Sequence, residues 1–268
     1  MKTLKEQIAE LRAAGYRALP AQAKVAHDAV LLAMDRSGFK LKSAIKGGVV
    51  MSSITGDIRR ATMDMDIDFV HHSISIRSIE RFVRGLNRAM PELEIGVDGK
   101  ITDLKHEDYR GKRVYVSVKD DSLKLPLRTK IDIGVHTHEE MAQVEYGFDV
   151  VTAPVKAELQ ANSNEQIFVE KLASLLRHGA LSNRPKDVFD MYYLSSRVRL
   201  RVVRQYVSIL VYASRRCPIA DKKRLVASLR RTFGSLRYLR KLSSARINWL
   251  GISPRVATAA ILKIAESL

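Results

Sequence analysis

The sequence predicts an α+β fold: a mixed sheet with flanking helices over residues 1–155, then a helical, basic domain over residues 156–268. Helical and strand-like hydrophobic periods interleave in the first part, strand patterns stop near Pro154, and successive helical patterns fill the remainder. With 46% hydrophobic residues, a chain of 268 can bury a core for one large domain or two of ordinary size.

Taken in order, the first 37 residues read as two amphipathic helices split at Leu19-Pro20, with Val25, Ala29, Val30, Leu32 and Met34 recurring near helical spacing. "FKLKSAIKGGVV" reads as a short strand, a glycine turn and a helix, "MDMDIDFV" as a strand, and Ser75 to Met90 as a helix. "LEIGVDGKITDL", with a hairpin turn at Asp98-Gly99, "KRVYVSVKD" and "RTKIDIGV" supply further strands. Helices are then expected at Asn164 to His178, Arg184 to Ser196, Val198 to Arg215, Asp221 to Thr232 and Pro254 to Leu268.

The single cysteine, Cys217, excludes an internal disulfide and a zinc site built on several thiolates. The charged N-terminus lacks an apolar signal core, and no uninterrupted apolar run of about 18 residues occurs, so a cytoplasmic protein without membrane spans is expected. A net charge of +17 points to a polyanionic partner, because Lys and Arg neutralise phosphates and release counterions. No P-loop or zinc-protease motif appears, and the histidines at 71–72 and 136–138 and the lone Trp249 are read as surface or packing groups.

"RATMDMDIDFV" places Asp64, Asp66 and Asp68 on one side of a strand whose other side carries Met65 and Ile67. Asp64 and Asp66 then lie about 6–7 Å apart, a spacing that one hard cation can bridge. Upstream, Gly47-Gly48 fall where a strand turns into a helix, and glycines there let backbone N–H groups approach a phosphate. Downstream, Asp132 lies between Ile131 and Ile133 in a strand that can sit beside the first. A third carboxylate completes a two-metal cluster able to hold nucleotide phosphates and lower the pKa of an attacking hydroxyl. Asp68, about 13 Å from Asp64 along the strand, is read as structural and paired with a nearby arginine.

Glycine turn, paired aspartates and a third aspartate together resemble the nucleotidyltransferase superfamily built on the DNA polymerase β palm. Within it the sequence is most similar to AbiEii/AbiGii-type toxins of type IV toxin–antitoxin systems, on "KGG" at Lys46 to Gly48, "RATMDMDI" at Arg60 to Ile67, "VEKLASLLR" at Val169 to Arg177 and "RPKDVFDMYYL" at Arg184 to Leu194. The resemblance implies transfer of NMP from an NTP to an acceptor with release of pyrophosphate, on a polymerase β-like mixed sheet. Asp64 and Asp66 match the metal ligands, for Mg²⁺ or alternatively Mn²⁺, and Asp132 fits the third carboxylate as ligand or base. Lys171, otherwise a lysine flanking an apolar helical stripe, takes the nucleotide phosphates in the family. Asp187 is its second implicated acid, orienting Lys171 or an acceptor, and Asp190 fixes neighbouring basic groups. Gly47, Gly48 and Arg177 are nucleotide-binding candidates, and Lys186 a weaker one. A cognate antitoxin is implied by the resemblance alone.

Between Arg197 and Arg246 lie fifteen Lys or Arg residues and one acid, Asp221. Solvated helices usually interleave acids with bases, so this run suits an RNA backbone, with Tyr206, Tyr212 and Tyr238 as candidate stacking groups. The expected function is a Mg²⁺-dependent toxin that adds NMP to an RNA acceptor, tRNA before others, and blocks translation. Transfer to a protein hydroxyl and a non-catalytic basic nucleic-acid-binding protein are the alternatives.

Overall fold

The computed structural model describes residues 1–104, 111–214, 217 and 219–268. Of the basic run, Arg215 and Arg216 lie outside the described residues, as does the expected helix end at Arg215. Two compact units divide the chain, Met1–Asn162 and Ser163–Leu268. The boundary expected at 155/156 is corrected by a strand, Lys156–Asn162, that belongs to the first unit. Ala157, Leu159 and Ala161 alternate inward there, but alanine, glutamate and glutamine gave the segment a helical composition that hid the period of two.

The first unit opens with α1 (Leu4–Ala13) and α2 (Ala18–Asp35). Thr3 and Glu6 form a capping box at the start of α1. The break between the helices precedes Pro20, which sits in the first turn of α2, where a missing N–H costs nothing. Then follow β1 (Ser43–Lys46), α3 (Gly47–Thr55), β2 (Asp64–Phe69), α4 (Ile76–Ala89), β3 (Glu94–Val97), β4 (Thr102–Asp103), β5 (Lys112–Lys119), β6 (Leu127–Val135), β7 (Gln143–Asp149) and β8 (Lys156–Asn162).

Among the described residues these strands form one eight-stranded mixed sheet in the order β3-β5-β6-β2-β1-β8-β7, with β4 also on β5. Strand β2 is central, antiparallel to β1 and parallel to β6. The Asp98-Gly99 turn does not make the expected hairpin. Both β3 and β4 pair with β5, so the turn, with Gly99 at φ +86°, joins two stretches of one edge. Strand β7, pairing antiparallel with β8, is a further element that the sequence reading lacked.

Met65, Ile67, Phe69, Val114, Val116, Ile131 and Ile133 fill the sheet core, and α2 packs against β6 and β8 with Val25, Ala26, Ala29 and Val30 buried. Buried with them is His27, whose Nε2 has no hydrogen-bond partner among the described residues. Burial pushes its pKa down to about 4, Lys24 adds to the shift and Asp64 opposes it. The unfolded chain therefore binds a proton between about pH 6.5 and 4 that the folded chain refuses, and stability falls as pH drops through that window. The loss should reach about 3 kcal/mol at its acid end, read by urea unfolding, and His27→Leu should remove this part of the slope. A wild-type profile that matches the His27→Leu profile would refute the assignment.

The second unit is helical: α5 (Asn164–His178), α6 (Lys186–Ser195), α7 (Leu200–Val207) running into a π-turn at Ser208–Tyr212, α8 (Lys222–Phe233), α9 (Leu236–Leu242) and α10 (Pro254–Ser267). Ser163, Asp221 and Ser235 cap α5, α8 and α9 with side-chain oxygens. Phe168, Leu172, Leu175, Val188, Phe189, Met191, Leu225, Leu229 and Ile261 make its core. Tyr206 and Tyr238 belong to that core too, which corrects their reading as stacking groups, while Tyr212 is half-buried.

Candidate active site

In the first unit, β1 ends at Lys46 and the chain turns at once into α3 through Gly47, whose φ of +65° is a left-handed conformation suited to glycine. A Cβ on Gly47 would stand 2.7 Å from Asp66 Oδ2, and one on Gly48 2.6 Å from Thr62 Oγ1. The glycines thus let the start of α3 lie directly against the Asp66 carboxylate. No Lys46 side-chain hydrogen bond caps that helix end, and the positive end of the helix dipole lies beside the Asp66 carboxylate.

Parallel pairing of β2 with β6 sets Asp66 opposite Asp132 and Asp64 opposite Lys130. Adjacent strands are about 4.8 Å apart, so the backbone of Asp132 lies beside that of Asp66. Asp64 and Asp132 each meet a cation. Lys130 Nζ lies 2.8 Å from Asp64 Oδ2, and Arg113, opposite Asp132 on β5, donates from Nε at 2.8 Å and from a terminal nitrogen at 2.9 Å to the two Asp132 oxygens. Those bonds push the Arg113 pKa up. Asp68 is buried and paired at 2.7 Å with Lys46, a lysine where an arginine was expected.

Among the described residues no three His, Cys, Asp or Glu side chains converge on one point, because Asp132 turns to Arg113 and Asp64 to Lys130. The donor set nonetheless suits a hard divalent cation. Asp64 and Asp66 are oxygen donors on one strand face, Asp64 is half-exposed, and Asp66 abuts a helix end fitted for phosphate. Arg113, Lys130 and Lys46 were missed in the sequence. Their only signal was charge at alternate strand positions, which acquires meaning once cross-strand register is known.

In the second unit, α5 and α6 pack together and close an ion cluster. Lys171 Nζ lies 2.6 Å from Asp187 Oδ1 and 2.9 Å from Asp190 Oδ2, with the Asp190 side chain fully buried. Trp249 Nε1 donates to Asp190 Oδ1 at 3.2 Å, so this tryptophan holds a buried carboxylate as well as filling space. Tyr238 is buried with a hydroxyl that lacks a hydrogen-bond partner among the described residues, and burial, then Asp187, push its pKa up. Arg177 donates to the Ala173 carbonyl from a half-buried position. Arg199 donates from backbone N–H and Nε to Glu165 Oε1, and although burial acts against it these bonds hold the Glu165 pKa below the ordinary value.

A family match over most of the chain shows the class, that of the nucleotidyltransferases. Over residues 29–234 the sequence matches the nucleotidyl transferase AbiEii toxins of type IV toxin–antitoxin systems, and the chain belongs to that family. Crystal structures of JHP933 and of a candidate nucleotidyltransferase, both from Helicobacter pylori, share the fold. The first has a TM-score of 0.52 at 13% identity, covering 94% of this chain and 93% of that one. The second has a TM-score of 0.50 at 15% identity, covering 93% of each. No curated protein sequence matches the chain significantly.

Proposed function

We propose that the protein transfers NMP from an NTP to an RNA acceptor, tRNA being the acceptor class, in a divalent-metal-dependent reaction that blocks translation. The observation that supports it most is the contact of Asp66 with the start of α3 while Asp132 stands in register beside it. The Gly47 and Gly48 N–H groups hold phosphate oxygens of the NTP. Asp64 and Asp66 are the residues to hold Mg²⁺ or Mn²⁺, with Asp132 as the third carboxylate once Arg113 releases it. Such an ion, when bound, offsets triphosphate charge and lowers the pKa of a nearby hydroxyl.

Asp132 takes the proton of the acceptor hydroxyl as its oxygen bonds to the α-phosphorus and the bond to the pyrophosphate oxygen breaks. Lys171, to which the family resemblance gives a role at nucleotide phosphates, is oriented by Asp187 through their 2.6 Å contact. Arg177 is a further phosphate ligand. The exposed, largely acid-free basic helices of the second unit favour RNA as acceptor over a protein hydroxyl. A cytoplasmic site of action and a neutralising antitoxin complete the reading, and no described helix is long and apolar enough to cross a membrane. Each α-labelled NTP, offered separately with Mg²⁺ and total RNA, tests it: label in RNA that chelation abolishes is expected. Label in protein alone, or none under any nucleotide and metal, overturns the proposal.

A further inference from the structure

We propose that α4 is a docking rail for the phosphate backbone of the acceptor RNA, formed by Arg77, Arg81, Arg84 and Arg88. The inference rests on RNA as the acceptor and adds to the basic run of the second unit a contact surface in the first. The four arginines are spaced 4, 3 and 4 residues apart, so they stand in one row along the helix, about 16 Å from first to last. All four are exposed, and none has an acidic partner among the described residues. Glu80 is the only acid in α4. Like charges at these spacings destabilise a helix, so an ordinary solvated face would alternate them with acids.

The opposite face of α4 is fixed. Ile79, Phe82, Val83 and Leu86 are buried, and Phe82 meets Phe39 edge-on at 5.1 Å and Phe69 at 5.4 Å. Gly85 lets Phe39 approach, since a Cβ there would stand 3.0 Å from its ring. Phe69 is the last residue of β2, the strand that carries Asp64 and Asp66, so the arginine row keeps a fixed distance from those carboxylates. Near Arg81, Lys42 extends the positive field: both charges act on His72, whose pKa burial already pushes down.

Beside the row, a groove of about 440 Å³ between α4 and β3 is lined by Val83, Ile95 and Val97, by Arg84 and Arg88, and by Glu80, the one acid of the helix. Guanidinium groups pair bidentately with phosphates and stack on bases, which suits a nucleotide unit lying there. A straight row of regular spacing fits the regular phosphate repeat of a nucleic-acid strand, about four or five phosphates at 3.4 Å of axis each, better than the irregular acids of a protein.

The test is RNA binding by fluorescence anisotropy between about 50 and 200 mM salt, using the full chain and a labelled bulk tRNA probe. Changing all four arginines to Gln should weaken binding at least about tenfold and lower the log–log salt slope by about 2 to 3, at about 0.7 per lost single-strand phosphate contact. The four-lysine variant and Asp66→Ala should keep the wild-type slope. The pair Arg81→Gln and Arg88→Gln, milder for folding, should lose about half as much. Wild-type affinity and slope in the folded Gln variants would overturn the rail. If wild type binds tRNA through the row yet never labels it, the proposed chemistry fails and the rail stands; labelling with unaffected binding sinks the rail alone.

Discussion

Asp66→Ala should lower nucleotide transfer by about a thousandfold or more while leaving the fold in place. Asp66 lies half-buried in β2 with its carboxylate against the turn at Gly47, and Met65 and Ile67 on either side of it supply the core contacts of that strand. Its removal takes away charge at the start of α3 without opening the core, and an interaction worth several kcal/mol in the transition state corresponds to three or more orders of magnitude. Asp66→Asn keeps the shape and loses the charge, so it should be nearly as inactive. Rates from labelled-NTP transfer, alongside urea unfolding and Mn²⁺ affinity, check this. Transfer by Asp66→Ala at more than about a tenth of the wild-type rate would remove the site from this strand.

Lys171→Ala should cost about 3–5 kcal/mol of stability, because it strips the counter-charge from two acids, one of them, Asp190, wholly buried. Loss of activity in that variant is therefore no proof of a catalytic lysine. Lys171→Met combined with Asp190→Asn should recover much of the stability: the amide oxygen still accepts from Trp249 and no buried charge is left unpaired at that position. Activity then decides the role. A folded double variant that transfers normally would show the ammonium to be structural, whereas a folded, inactive one supports its proposed place at the phosphates. Urea midpoints measure the first effect and labelled product the second.

The sequence made β1, β2, β6 and α4 legible because each carries a strong local signature: a glycine pair, alternating acids between apolar residues, or a capped helical stripe. Strands β7 and β8 escaped because Glu158, Gln160 and the alanines of β8 favour helices, and the pairing of β8 with β1 and β7 overrides that preference. Short α9 was missed for want of length. At the site, the aspartates could be named from one segment at a time. Their cations could not, since Arg113 and Lys130 meet Asp132 and Asp64 only through the pairing of β5 with β6 and of β6 with β2. Trp249 lies 59 residues from Asp190, and nothing local announces their bond.

The parallel pairing of β2 with β6 joins positions 66 residues apart, Asp66 and Asp132. Contacts of such long sequence separation pay a large loop-closure cost and form slowly. A nascent chain still shorter than β6 holds two of its aspartates but not the third beside them. If Asp132 completes the site as proposed, a chain that ends before β6 has no transfer activity, and the first half of synthesis passes before the third carboxylate exists.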